Sequence, residues 1–98
     1  MRVRWTTDAS DDLARIVGLI REDNPGAALK VARTIYAGIA NLRKFPLRGR
    51  LGFSPGTREI VYSPWPYIAV YEIADDHILV LRIRHASRNW SPASLRAE

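Results

Sequence analysis

The chain has 98 residues, 47% of them hydrophobic, which is enough for one compact core and too little for two ordinary domains, so a single domain over residues 1–98 is expected. Fifteen Lys plus Arg against ten Asp plus Glu leave a net charge of +5, which favours an acidic partner, either nucleic acid or an acidic protein segment. The absence of cysteine excludes disulfide scaffolds, thiolate zinc sites and cysteine nucleophiles, and no window approaches the roughly 18 apolar residues of a membrane span, so a soluble, cytoplasmic protein is expected.

Val3 and Trp5 alternate with Arg2 and Arg4, the period-two pattern of a short strand with one face inward. Thr7 or Asp8 then caps a helix whose first turn carries Asp8, Asp11 and Asp12, where the helix dipole favours negative charge. Leu13, Ile16, Val17 and Ile20 share one face of it, and it ends near Glu22 or Asp23. Asn24-Pro25 marks a second start, an N-cap followed by proline at the first helical position. Ala28, Val31, Ala32, Ile35, Ile39 and Leu42 form the apolar stripe of this second helix, and Phe45-Pro46 stops it. So short a connection predicts an antiparallel helical hairpin.

From Leu47 to Thr57 there are three glycines, a proline and no periodicity, which predicts a loop. Arg58 to Tyr62 and Tyr67 to Ile73 are strand-like, and Ser63-Pro64-Trp65-Pro66 between them predicts a hairpin with a rigid turn carrying an exposed Trp65. After the turn Ala74-Asp75-Asp76, Ile78 to His85 is the most hydrophobic strand, apolar on both faces in its first half and therefore expected to be covered on both faces or central in the sheet. The tail beyond Arg88, residues 89–98, is expected to be loosely held. The predicted class is α+β: an N-terminal strand, an antiparallel helical hairpin, then a three-strand antiparallel meander (β-α-α-β-β-β), with the pairing of the first strand left open.

Few residues here can carry chemistry. A ribonuclease needs groups to move protons at the 2′-hydroxyl and the leaving oxygen and cations to hold phosphorane charge, and Arg84, His85 and Arg88 can supply parts of that set. Strand alternation, however, puts His85 with Ile83 and Leu81 on one face and Arg82 with Arg84 on the other. A strand-end histidine bonded to a carbonyl is the competing reading of His85, and His77 in its acidic turn reads as solvated. Two lone histidines without a third ligand imply no metal site, and Gly49, Gly52 and Gly56 match no phosphate-binding pattern, so no cofactor is expected. Trp65, Tyr67 and Tyr71 near Arg58 can form a stacking platform for bases, although core packing accounts for Tyr71 more simply and an exposed Trp beside prolines suits a protein contact equally well.

Taken together, Arg58 opening a strand, Tyr67-x3-Tyr71 followed by Asp75-Asp76, and a strand closing on Ile83-Arg84-His85-x2-Arg88, behind an N-terminal strand and helical hairpin, resemble the RelE/ParE toxins of bacterial type II toxin–antitoxin pairs, over nearly the whole chain. That resemblance implies a growth-inhibiting toxin, associated with plasmid stabilisation, held silent in a hetero-oligomer by a cognate antitoxin that folds around it. In the branch that cleaves ribosome-bound mRNA, an arginine follows the first tyrosine of Tyr-x3-Tyr and lysines lie on the preceding strand; here those places hold Ile68, Glu59 and Val61. Arg88 matches a later catalytic arginine, whereas the base-stacking terminal tyrosine is replaced near Ser94. The resemblance is stronger to the ParE-like branch that poisons DNA gyrase, which implies binding rather than catalysis through Arg58, Trp65, Arg82, Arg84, Arg88 and Trp90. An mRNA endoribonuclease using Arg84, His85 and Arg88, and a degenerate non-toxic binding module, are the alternatives.

Overall fold

In the computed structural model, which describes residues 1–62 and 64–86, the N-terminal alternation forms strand β1 (Arg2–Trp5). It lies beside the last strand, β5 (His77–His85), and runs parallel to it, with Val3 opposite Ile78 and Trp5 opposite Val80. Thr6 joins strand to helix. Its N–H continues the ladder to the Val80 carbonyl, its hydroxyl donates to the Leu81 carbonyl at 2.8 Å, and the same oxygen accepts from Ala9 N–H at the start of helix α1 (Thr7–Asp23). The cap is therefore Thr6 rather than Thr7 or Asp8, because only a residue still in extended conformation can serve both ladder and helix.

Asn24 closes α1 and opens helix α2 (Pro25–Asn41): its N–H donates to the Ile20 carbonyl and its side chain accepts from Ala27 N–H at 3.0 Å. The predicted stripe is the buried one, with Val31, Ile35, Ile39 and Leu42 at most 1% exposed. The two helices pack on the sheet through Ala9, Leu13, Val31, Ile35 and Ile39 against Ala69, Val80 and Ile83. Neither helix is long and apolar enough to cross a membrane.

The sheet has five strands in the order β1-β5-β4-β3-β2, with β3 (Arg58–Val61), β4 (Tyr67–Ile73) and β5 as the expected antiparallel meander. The added strand is β2 (Arg50–Leu51), inside the stretch expected to be loop, which pairs antiparallel with β3 through Arg50–Glu59 and Leu51–Arg58. Two residues carry no periodicity, so nothing in the pattern marks them.

A second difference concerns β5. Val70 pairs with Arg82 and Tyr71 with Val80, so Leu81 is an extra residue, a β-bulge. The bulge separates Leu81 from the face of Ile83: Leu81 joins Leu79, Ile68 and Val70 in a second cluster, while Ile83 stays with Val80 under the helices. Trp65, expected to be exposed, is half-buried against the main core, and the turn that holds it closes through Tyr62 N–H to the Tyr67 carbonyl and Trp65 N–H to the Tyr62 carbonyl. Ser63 and the tail 89–98 lie outside the described residues.

Tyr71 organises the connection between α2 and the sheet. It is wholly buried, its hydroxyl donates to the Pro46 carbonyl at 2.7 Å, and that oxygen accepts from Gly49 N–H at 2.9 Å. A Cβ on Gly49 would sit 2.6 Å from the hydroxyl, so this approach requires glycine. Arg58, opposite Tyr71 on β3, completes the clamp by donating to the Gly49 carbonyl at 2.7 Å. Tyr71→Phe leaves the ring in place but strands the buried Gly49 N–H and Pro46 carbonyl, so a loss of about 1–3 kcal/mol in urea unfolding is expected. An unchanged unfolding midpoint would show that the clamp contributes nothing.

Candidate functional site

Among the described residues, the strand-end candidates Arg84 and His85 do not share a face. Arg84 lies opposite Ile68 on the face turned away from the helices, and His85 lies opposite Tyr67 on the helix side, where the two rings meet edge-on at 5.7 Å. Both arginines of β5 are already engaged. Arg82 makes a two-pronged contact with Asp12 of α1, Nε to Oδ2 at 2.8 Å and Nη2 to Oδ1 at 3.0 Å, and Asp12 also accepts from Ile83 N–H at 3.0 Å. Asp12 is 2% exposed, and Arg15 adds a further contact at 3.5 Å. Removing one member of so buried a pair typically costs roughly 3–5 kcal/mol, because a desolvated charge is left behind.

Arg84 is held by Glu59. The Glu59 carboxylate, 5% exposed, accepts from Arg50 at 3.0 Å, from Phe53 N–H at 3.3 Å and from Arg84 at 3.4 Å. Burial alone would raise its pKa, but Arg50, the Phe53 amide and Arg84 together outweigh burial and hold the carboxyl below its usual 4.5. The carboxylate is shared between Arg50 and Arg84, so it ties Arg84 to the sheet and offsets one of the two positive charges.

The remaining candidates divide in the same way. Arg58 is committed to the carbonyls of Leu47 and Gly49. Because Tyr71 is fully buried and Trp65 packs on the core, Trp65, Tyr67 and Tyr71 do not make an open stacking platform with Arg58. His77 hydrogen-bonds its neighbour Asp76 at 2.8 Å. Arg88, Trp90 and the position near Ser94 lie outside the described residues.

Two features were missed by sequence reasoning. The first is the pair Asp12 and Glu59, which look like a helix-dipole residue and an ordinary strand acid; only three-dimensional pairing reveals that each holds an arginine. The second is a groove beside the free edge of β1, lined by Val3, Trp5, Tyr36 and Ile39 and flanked by Arg2 and Arg43, with Tyr36 exposed and stacked on Trp5 at 5.3 Å. Tyr36 falls off the apolar stripe of α2, and that is the one trace the groove leaves in the sequence.

Glu59 has a depressed pKa when folded, so its contribution is present above pH 4.5 and is lost as pH falls through the lower folded value. Below pH 4.5 the wild-type stability should therefore decline more steeply than that of Glu59→Gln, which lacks the titrating group. Parallel acid limbs for the two proteins would contradict the assignment.

Residues 3–90 match the model of the ParE toxin of type II toxin–antitoxin systems. Toxin RelE2 of Caulobacter vibrioides is 38% identical over 87 residues, covering 89% of this chain and 97% of that protein. A Sinorhizobium fredii protein designated Y4kP is 37% identical over 89 residues, covering 91% and 92%. Among solved structures, a chain of the chromosomal ParDE toxin–antitoxin system from P. aeruginosa superposes with a TM-score of 0.80 at 28% identity, covering 89% of this chain and 97% of that one. A strand, a helical hairpin and a mixed sheet, with a family match over nearly the full length, place this chain in the ParE toxin family of the RelE/ParE superfamily, as a toxin of a type II toxin–antitoxin system.

Proposed function

We propose that this toxin acts in the cytoplasm by binding DNA gyrase, and that a cognate antitoxin keeps it silent by covering the groove beside β1. The observation that carries the target assignment is the Glu59 carboxylate. It sits where the mRNA-cleaving branch carries a lysine, and it holds Arg84 in an ion pair shared with Arg50, while His85 faces the other side of the sheet. Phosphoryl chemistry draws on cations free to meet developing negative charge; gyrase poisoning draws on a surface. Induction of the unaltered chain should arrest growth, and the purified toxin should inhibit supercoiling or trap cleaved DNA while leaving ribosome-bound mRNA intact. His85→Ala should keep that toxicity. Codon-specific mRNA cleavage that disappears with His85→Ala would replace this reading with the endoribonuclease one.

The antitoxin assignment follows from the open edge of β1. A strand at the edge of the described sheet, beside an aromatic groove, accepts an extended or helical segment, and Arg2 and Arg43 at the rim favour an acidic one. Arg82 and Arg84 are less suited to this role than their position on β5 implies, since their charges are spent inside the fold. Tyr36→Glu with Arg43→Glu should weaken binding of the adjacently encoded antitoxin at least tenfold, with a smaller loss at high salt where the baseline attraction is already screened. Undiminished binding at low salt would move the antitoxin elsewhere.

A further inference from the structure

The acidic residues are unevenly distributed along the chain. Between Asp23 and Glu59 there is none, and the run of residues 24–58 carries Lys30, Arg33, Arg43, Lys44, Arg48, Arg50 and Arg58, of which Arg50 is paired with Glu59 and Arg58 is bonded to backbone carbonyls. The second half of that run also holds the three most exposed large apolar side chains among the described residues, Leu51 at 78%, Phe53 at 67% and Leu47 at 66%, with Phe45 at 57% nearby. They lie at the β2 edge of the sheet and in the connection leading to it. Phe45, Pro46, Leu47 and Arg48 line an open groove there.

Exposed apolar side chains in such density mark a contact surface rather than a solvated loop. This one is held in place before any partner arrives. Tyr71 and Arg58 fix Pro46 and Gly49, Gly52 N–H donates to the Thr57 carbonyl at 2.8 Å, and Phe53 N–H donates to Glu59. Little ordering entropy then remains to be lost on binding. Its β2 part is also distant from the proposed antitoxin groove, because β1 and β2 are opposite edges of a five-strand sheet, about 19 Å apart at the usual strand spacing, whereas Phe45 lies only two residues from Arg43 at that groove's rim.

We infer that the β2 edge with Phe45, Leu47, Leu51 and Phe53 is the surface by which the free toxin engages its cellular target, and that the target presents a protein surface of acidic side chains around apolar pockets. Three features select that chemistry. Like charges oppose a second copy of the chain. The aliphatic Leu47 and Leu51 have no counterpart on a phosphate backbone. A groove, together with a strand edge open on one side, suits an incoming protein segment. This rests on the toxin reading but not on gyrase being the target.

The test uses the full chain, induced in cells with the antitoxin under separate control. Leu51→Asp with Phe53→Asp, and the milder Leu51→Ser with Phe53→Ser, change exposed positions and should leave the melting temperature and antitoxin co-purification unchanged. Survival after induction should rise at least tenfold for the aspartate pair and less for the serine pair. Arrest that depends on this pair in a toxin whose wild type leaves supercoiling unaffected would support the surface while removing gyrase as its target. Full arrest by both variants would overturn the inference, as would loss of antitoxin binding, which would give the patch to the antitoxin. Patch-dependent binding of the purified toxin to phosphatidylglycerol vesicles or to single-stranded RNA, each absent in the aspartate pair, would overturn it in favour of a lipid or nucleic-acid surface. Absence of arrest by the unaltered chain would overturn both the inference and the toxin reading.

Discussion

The carboxylate of Asp12 is the point on which the arrangement of helix and sheet depends. Strand β1 stops at Trp5, so its ladder with β5 reaches only to Thr6 and Val80, yet β5 continues to His85. Without a partner, Ile83 N–H would be a buried donor with nothing to bond. Asp12, one and a half turns into α1, supplies the missing acceptor and grips Arg82 in the same contact. The helix thereby takes over from the strand as the neighbour of β5, and it does so at the bulge that changes which β5 side chains face the core.

Electrostatics follow from that placement. Two buried acidic residues, Asp12 and Glu59, are engaged in ion pairs with Arg82, Arg84 and Arg50. In the long acid-free run through α2 and the following connection, Arg43 and Lys44 are exposed and make no ion pair among the described residues, so their positive charge is left for the surface. A formal count of +5 conceals this division between arginines that hold the fold together and cations that face outward.

The helical hairpin is legible in the sequence because its signals are local. Asn24-Pro25 is a stop and a start in two residues, and the stripe from Ala28 to Leu42 has only one period that fits. The two apolar faces of the last strand leave open whether it is covered on both sides or central, and the sheet places it between β1 and β4. Other features depend on residues distant in sequence. Thr6 looks no better a cap than Thr7 until the ladder to Val80 is present, and the bulge at Leu81 leaves no mark in an apolar run. Trp65 looks exposed because prolines flank it, yet the turn folds its ring onto the core. In the candidate site, the family resemblance marks Ile68 and Glu59 as departures from the nuclease pattern, but the contact between Glu59 and Arg84, across the width of β4, belongs to tertiary structure alone.

The Tyr71–Gly49–Arg58 clamp separates what the chain can vary from what it cannot. Gly49, Arg58 and Tyr71 fix the path of the backbone under the β2 edge from within the core, whereas Leu47, Leu51 and Phe53 extend from that path mostly into solvent. Side chains of the second kind can be exchanged with little cost in folding free energy. A toxin built this way can change the partner it recognises while keeping its scaffold intact, so related chains can share one backbone and still differ in what they poison.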